Sequence, residues 1–493
     1  MKITFKEKGV MADNGKAVLV TLVAGKKESE VVRLPNGQRV IEIGVENPAG
    51  ITRRKLVLLA RRVIAMAKSH KAKRVLVKFS DFLLPHLQIK ERDLGWLMAV
   101  NFEMANFEFV KYKTAPEEGW PFIDEVVIVG KISAEAKKGF AAGGVVGEEV
   151  NKCRALANTP GGEMTPQILG EEARKVARGT KVKVTILGKK EIEKLKMGGV
   201  LGVSKGSAEE PRFIILEYWG VSPSEAAPFA VVATEAESAK DGAKKEKPIV
   251  LVGKGVTFDT GGLNLKPSQH IYEMHMDMSG GAAVIHAIVA AARLGIKKNV
   301  VGLVPAVENM PSGSSYHPGD VLVSMSGKTI EVLDTDAEGR IILADALTYA
   351  KKYNPKLVVD VATLTGAAMV AVGQRASAIF TSDEKLEQLF RELGEESGDY
   401  VWPLPLWEEF EEEIKGTFGD VANVGKTRYG GAITAAVFLH QFIKKDSAAG
   451  SGQLFPWVHI DIAPRMTAVE GEHLAKGAAG APVRLLVKLI EKF

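Results

Sequence analysis

Cysteine is almost missing from this chain: among 493 residues only Cys153 occurs. It has no partner for an internal disulfide and no second thiol for a zinc knuckle, which fits a reducing compartment and a buried structural thiol. Long apolar runs are missing as well. Leu357 to Val372 is broken by Asp360 and Gly366, short of the roughly 20 uninterrupted residues that cross a bilayer, so no membrane span is expected. The first residues mix Lys2, Lys6, Glu7 and Lys8 without an apolar stretch or a small-residue cleavage site, so a signal peptide is not expected and the cytoplasm is the expected address. A strong charge of one sign is absent too. Sixty-five Lys and Arg stand against 60 Asp and Glu, a net charge of +5, with both signs interleaved, so charge alone implies no nucleic-acid partner. Asn and Gln are scarce beside Lys and Glu, a balance found in heat-adapted proteins.

What is present is ordinary globular material, 46% hydrophobic and 25% charged, which excludes wholesale disorder and fibrous repeats. The length exceeds the ~250–300 residues at which one core stops growing, so two domains are expected. In the first 140 residues, β-rich runs (Ala17 to Val23, Arg74 to Phe79, Glu125 to Val129) alternate with helical patterns such as Arg54 to Ala67, the mark of a small α/β domain. The stretch Arg53 to Arg74 is both basic and amphipathic. It reads as a solvated helix face, with a nucleic-acid surface as the alternative. Residues 144–156 read as a helix ending at the turn-rich Asn158-Thr-Pro-Gly-Gly162, so the domains are placed at 1–143 and 161–493 with a connection at 144–160. Beyond it, strands at Val182 to Leu187, Arg212 to Glu217, Ile249 to Val252 and Leu357 to Val361 alternate with helical patterns such as Gly280 to Arg293. That order implies a three-layer α/β/α domain around a mostly parallel sheet. The stretch from Gly220 to Pro248, rich in Ala, Ser, Glu and Lys, reads as an exposed surface loop.

Two segments hold carboxylates and cations where a sheet end would otherwise be apolar: Val252-Gly-Lys-Gly-Val-Thr-Phe-Asp-Thr-Gly-Gly262 and Asp334-Thr-Asp-Ala-Glu-Gly-Arg340. Ligands in α/β sheets bind beyond the carboxyl ends of strands, and Lys254 and Asp259 follow directly on Ile249 to Val252. With Lys266 and Asp277 there are four carboxylates (Asp259, Asp277, Asp336, Glu338) and three cations, and carboxylates gathered so densely call for cations between them. Flanking Val256, Phe258, Leu333, Ile341 and Ile342 argue for burial rather than a solvated turn. A phosphate loop is excluded because Lys254 is followed by Gly255 and Pro248 stands where the first glycine belongs. None of the nine histidines forms a His-Glu-x-x-His helix, and neither thermolysin-like nor serine-hydrolase chemistry is expected. His275 and His459 are read as supporting residues, not ligands.

The segment Asp334–Arg340 resembles the Asn-Thr-Asp-Ala-Glu-Gly-Arg-Leu signature of the leucyl (cytosol) aminopeptidase family, peptidase family M17. The likeness extends through Gly253 to Gly262, Met274 to Ala283, Glu308-Asn-Met-Pro-Ser-Gly313, Ala362-Thr-Leu-Thr-Gly-Ala367, Gly430 to Ala436, Trp457-Val-His-Ile-Asp-Ile-Ala463 and Pro482-Val-Arg484. The first 140 residues carry no matching motif. The resemblance implies a metal-dependent aminopeptidase acting on N-terminal leucine or similar apolar residues, assembled as a homohexamer. It implies two divalent ions, Mn²⁺ or Zn²⁺, bridged by Asp259 and Glu338, with Asp336 completing one side and Lys254 and Asp277 the other. Hydroxide between the two ions is the implied nucleophile. Lys266 and Arg340 match the catalytic pair, Lys266 toward the developing oxyanion and Arg340 holding a bicarbonate that serves as general base. Leu364 and Gly366 would orient the substrate backbone, and Met274, Thr363, Ala463 and Met466 match the first side-chain pocket. Two alternatives stand beside this: an added nucleic-acid-binding role and a two-metal phosphoesterase. The chain departs from the family at Asp334, where Asn is usual, at Ile341 in place of Leu, and at His317 in place of Arg.

Overall fold

The structure is a computed structural model that describes the chain except residues 8–16, 35–36, 38, 222–245 and 445–453. Most of the surface loop expected over 220–248 therefore lies outside the described residues. A small N-terminal α/β domain is followed by a larger three-layer α/β/α domain with a mostly parallel sheet.

The N-terminal sheet has six strands in the spatial order Lys2–Lys6, Glu125–Val129, Arg74–Lys78, Ala17–Ala24, Arg39–Val45, Glu30–Arg33, parallel throughout except the last pair. Runs of Val and Ile suit such buried strands, because β-branched side chains pack well on a pleated surface. The helix Arg53–Ser69 begins where the Thr52 hydroxyl accepts the Lys55 N–H, and it buries Leu56, Leu59, Val63 and Ile64.

The basic stretch is exposed at Arg54, Lys55, Lys71 and Lys73, as expected of a solvated face, but not at every position. Arg61 is buried, donating through Nε to Asn101 Oδ1 at 2.8 Å and facing Glu472 Oε2 at 3.9 Å. Arg54 pairs with Glu395 and Lys71 with Glu118, while Lys68 meets Glu108 at 2.8 Å. Arg53 donates to Glu396 O and Lys73 to Trp120 O.

The helix expected over 144–156 starts at Ala134, where the Ser133 hydroxyl accepts the Ala136 N–H, and runs to Ala157. Gly139, Gly143 and Gly147 recur every fourth residue along its face toward the helix Glu91–Asn106. A Cβ at Gly139 would lie 1.9 Å from Arg92 O, and one at Gly143 2.4 Å from Trp96 O. The missing side chains let the two backbones touch.

The second sheet runs in the order Val401–Pro403, Ser377–Phe380, Trp457–Asp461, Leu357–Ala362, Ile249–Gly253, Asn299–Asn309, Arg212–Trp219, Lys183–Leu187, with Gly255–Asp259 added beside the end of Asn299–Asn309. Alternate residues of Ile249–Gly253 face opposite layers. Ile249 and Leu251 pack with the helices Ser279–Arg293 and Val483–Lys492, Val250 and Val252 with Glu338–Ala350 and Gly431–His440. Full burial of each such side chain contributes about 1.5–3 kcal/mol.

From Ile249–Gly253 the chain crosses by the helix Ser279–Arg293 to the neighbour on one side, Asn299–Asn309. It then returns by Glu338–Ala350, on the opposite face, to the neighbour on the other side, Leu357–Ala362. Such a reversal opens a crevice at the carboxyl ends of the strands, and Lys254 and Thr363 are the residues that leave the sheet there.

Candidate metal and catalytic site

Lys254 follows the last residue of Ile249–Gly253 and is pinned by its own backbone: its N–H donates to Val361 O at 2.9 Å, and its carbonyl accepts Gly281 N–H at 2.8 Å. Its Nζ lies 2.8 Å from Asp277 Oδ2, 2.8 Å from Glu338 Oε1 and 3.0 Å from Thr363 O. Asp277 sits just before the helix Ser279–Arg293 and accepts the Thr363 hydroxyl at 2.6 Å. Glu338 and Arg340 lie in the first turn of the helix Glu338–Ala350.

Asp259 ends the strand Gly255–Asp259, whose register slips against its neighbour between Val256 and Phe258. A bulge of that kind turns a side chain toward a site. Asp259 Oδ1 accepts Gly261 N–H and Asn309 Nδ2, both at 2.9 Å, and Oδ2 lies 2.9 Å from Lys266 Nζ. Lys266 also contacts Asp336. Arg340 is buried and donates Nη1 to Asn423 O at 2.8 Å, while its Nε finds no acceptor among the described residues. Four carboxylates and three cations, drawn from residues 254–277 and 336–340, thus meet in one place.

The electrostatics follow from burial and like charge. Burial and the neighbouring Asp259 and Glu338 push Asp336 up to about 7. Burial also raises Asp277 and Glu338, each beside other carboxylates. Burial alone would disfavour an ammonium at Lys254, yet Asp277, Glu338 and Asp259 hold it above the usual lysine range. Asp259, Glu338 and Asp336 do the same for Lys266. Burial brings Arg340 down to about 10. Among the described residues, Lys254 and Lys266 are the cations in direct contact with these four acids.

The donor set fits divalent cations. Asp259, Asp336 and Glu338 each offer an oxygen within 4.8 Å of the others. Among the described residues, Asp277 Oδ2, Asp336 Oδ1 and Glu338 Oε1 are buried without another hydrogen-bond donor beside the lysines they face. Hard carboxylate oxygens grouped in this way suit a divalent cation such as Mn²⁺.

The expected pocket residues surround these groups unevenly. Thr363 is buried, Leu364 half-buried and Gly366 exposed at the head of the helix Gly366–Val372; Ala463 begins a short turn and Met466 is buried just after it. Met274 is half-buried against the same core cluster as Met466. His459 is not at the cluster: its Nδ1 shares a hydrogen bond with Asp360 and its ring stacks on Phe380 and Trp457, a supporting role as expected. His317 is exposed beside Asp320. Gly202-Val-Ser-Lys-Gly206 has the spacing of a serine-hydrolase elbow, but Ser204 follows a short helix and donates to Leu201 O, with no strand leading into it.

Residue-by-residue reading passed over three contributors. Asn309 orients Asp259 and also donates to Thr335 O at 2.9 Å. Asn423 accepts Leu333 N–H at 2.8 Å, donates to Asp334 O at 2.6 Å, and offers its own carbonyl to Arg340. Asp461 accepts three hydrogen bonds, from Leu364, Thr365 and Ala463 in the loops that follow two neighbouring strands. Asn309 and Asp461 lie inside motifs noted above, but Asn423 had no local signal.

Known proteins resemble this chain in sequence and in fold. Residues 151–487 match the model described as "Cytosol aminopeptidase family, catalytic domain". A protein of Nitrosospira multiformis named "Probable cytosol aminopeptidase" is 41% identical over 411 residues, 82% of this chain and 73% of the relative. One of the same name from Saccharophagus degradans is 38% identical over 484 residues, 97% of this chain and 86% of the relative. Among solved structures, the bottromycin maturation enzyme BotP in complex with Mn superposes with a TM-score of 0.81 at 28% identity, covering 97% of this chain and 99% of that one.

Proposed function

The chain belongs to the cytosol aminopeptidase family, peptidase family M17, and from that premise, a metal-dependent aminopeptidase hydrolase, we propose that it removes N-terminal leucine or similar apolar residues from peptides with two divalent ions. The observation that carries this reading is the convergence of Lys254, Asp259, Asp277, Asp336 and Glu338 on one buried spot, with Lys266 and Arg340 at its edge.

Asp259 and Glu338 would bridge the ions, Asp336 completing one site and Lys254 with Asp277 the other. Held there, two such ions would supply an acidified bound water and polarisation of a peptide carbonyl. The remaining work falls to the chain itself. Lys266, held by carboxylates as an ammonium, supplies positive charge where the scissile carbonyl oxygen gains negative charge. The unpaired Arg340 Nε supports the assignment of a bicarbonate there as general base, since a guanidinium cannot itself accept a proton. Backbone groups at Leu364 and Gly366 orient the peptide, and Met274, Thr363, Ala463 and Met466 enclose its first side chain. A cluster rich in carboxylates favours a free α-amine, which makes the enzyme an exopeptidase.

Manganese is the first ion to try, given the Mn-bound BotP, with zinc beside it. A homohexamer is the assembly assigned, and the exposed Trp407, Phe418 and Tyr429 support a covered surface. The cytoplasm is the compartment assigned, from the lone buried Cys153 and the names of the relatives; among the described residues no helix is long and apolar enough to cross a membrane. The division into 1–143, 144–160 and 161–493 belongs to the same reading, supported by the first sheet ending at Val129 and the family match beginning at 151.

The test compares leucyl peptides with their N-acetylated forms and with a phosphate ester, using Mn²⁺-loaded enzyme. Cleavage of the unblocked peptide alone is the expected result. Equal cleavage of blocked and unblocked peptides would make it an endopeptidase, and turnover of the ester alone would make it a phosphoesterase.

A further inference from the structure

Asp461 closes the strand Trp457–Asp461 with a fully buried carboxylate. The strand beside it, Leu357–Ala362, is parallel and in register, with Ala362 opposite Asp461, and Ile462 N–H donates to Ala362 O at 2.8 Å. Two loops therefore leave the sheet side by side. One runs through Thr363, Leu364 and Gly366; the other runs through Ala463 to Met466.

The carboxylate ties these loops together. Its Oδ1 accepts Leu364 N–H and Ala463 N–H, each at 3.1 Å, and its Oδ2 accepts the Thr365 hydroxyl at 2.7 Å. Thr365 Oγ1 in turn accepts Ala368 N–H at 3.0 Å and so caps the helix that begins at Gly366. On the other side of Leu364, Thr363 is fixed to the metal cluster, its carbonyl on Lys254 Nζ at 3.0 Å and its hydroxyl on Asp277 at 2.6 Å. Leu364 is thus held between the cluster and Asp461, and the same aspartate sets the first backbone N–H of the opposite loop.

We propose that Asp461 is a positioning residue that holds the peptide-backbone loop and the wall of the first side-chain pocket in one frame with the metal cluster, and that substrate selectivity depends on it. The proposal rests on the assignment of Thr363, Leu364, Gly366, Ala463 and Met466 to substrate binding. An aspartate is required because two carboxylate oxygens accept from three donors. Asparagine keeps one oxygen for the two N–H groups but turns its N–H₂ group toward the Thr365 hydroxyl, reversing that bond and leaving the hydroxyl hydrogen without the charged acceptor that fixes the loop. Misplacement of a substrate by about 1 Å costs on the order of 100-fold in rate, and a loosened apolar pocket loses the roughly 10- to 200-fold discrimination that a methylene-scale fit supplies.

The experiment uses full-length Mn²⁺-loaded protein, wild type, Asp461→Asn and Thr365→Val, with kcat and KM measured on leucyl, methionyl and alanyl amides and metal counted per subunit. Wild type that cleaves no unblocked amide would refute the aminopeptidase reading before any variant is compared. The proposal expects Asp461→Asn to keep the wild-type metal count, lose about 100-fold in kcat/KM on leucyl amide, and narrow the leucyl-to-alanyl ratio by about 10-fold. Thr365→Val, which removes one of the three bonds, should move the same ratio in the same direction by less. A variant with lowered Tm but an unchanged leucyl-to-alanyl ratio, or one whose loss tracks metal content alone, would overturn it. If Asp461→Asn does not fold, Thr365→Val decides: an unchanged ratio there rejects the positioning role.

Discussion

Gly339 faces the tip of Lys254 so closely that a Cβ on it would stand 2.5 Å from Lys254 Cε and 2.8 Å from its Nζ. The glycine between Glu338 and Arg340 is therefore a matter of space: the helix Glu338–Ala350 passes directly over the lysine that bonds Asp277 and Glu338. Gly339→Ala should fold, because only a side-chain tip must move, yet it should displace Lys254 from the cluster. We expect a loss of one metal ion per subunit and most activity, read by metal analysis beside circular dichroism. A variant with full metal and full turnover would mean that the lysine tip has room elsewhere.

Lys254 can ligate only after its ammonium has lost a proton, and its three acidic neighbours hold that proton firmly when no cation is bound. Lys254→Met keeps chain length and apolar bulk while removing the donor. The expected outcome is one ion per subunit, with the site at Asp336 still filled, because Asp259, Asp336 and Glu338 remain grouped. Two tightly held ions in the purified variant would make Lys254 a charged neighbour, not a ligand.

Asp334 stands where relatives of this family usually carry asparagine, and its side chain is engaged locally: Oδ1 accepts Asp336 N–H at 2.8 Å. An asparagine carbonyl makes the same turn bond. Asp334→Asn should accordingly change stability by less than about 0.5 kcal/mol and leave the metal count unaltered, as judged by thermal melts and metal titration. A large change in metal affinity would show that the extra charge acts on the ions.

Glu149 is fully buried against His286 at 2.8 Å and is flanked by Lys152 and Arg293. Burial by itself would raise its carboxyl, but hydrogen bonds and charge from His286 and Lys152 bring it down to about 2 from the ordinary 4.5. The stability this contributes is fully present above 4.5 and is lost as pH falls from 4.5 toward 2. Glu149→Gln should cost about 1.5–3 kcal/mol at pH 7, since it weakens the hydrogen bonds that a buried carboxylate accepts from its neighbours, and its Tm should fall less steeply between pH 5 and 3 than that of the wild type. Parallel acid limbs in melts of the two proteins would exclude Glu149 as the titrating group.

The sequence by itself determined the elements and the chemistry of the two site loops. Val- and Ile-rich runs became strands within a residue or two of their expected ends, as at Glu125–Val129 and Ile249–Gly253, because period and β-branching act over neighbouring residues. Lys254, Asp259, Asp336, Glu338 and Arg340 were legible because they crowd into two short segments. Tertiary structure alone decided which of them meet, since strand order and register bring residue 254 against 338 and 361 against 460. It also decided what the local pattern could not carry. Arg61 reads as a solvated helix charge but is buried toward Glu472 from the other end of the chain. Asn423 reads as any loop asparagine but supplies the carbonyl that orients Arg340. The connecting helix extends back to Ala134 because its glycines find another helix to press against. Hydrogen bonds and ion pairs between distant segments depend on distances fixed only after the sheets have formed, and no periodicity along the chain encodes them.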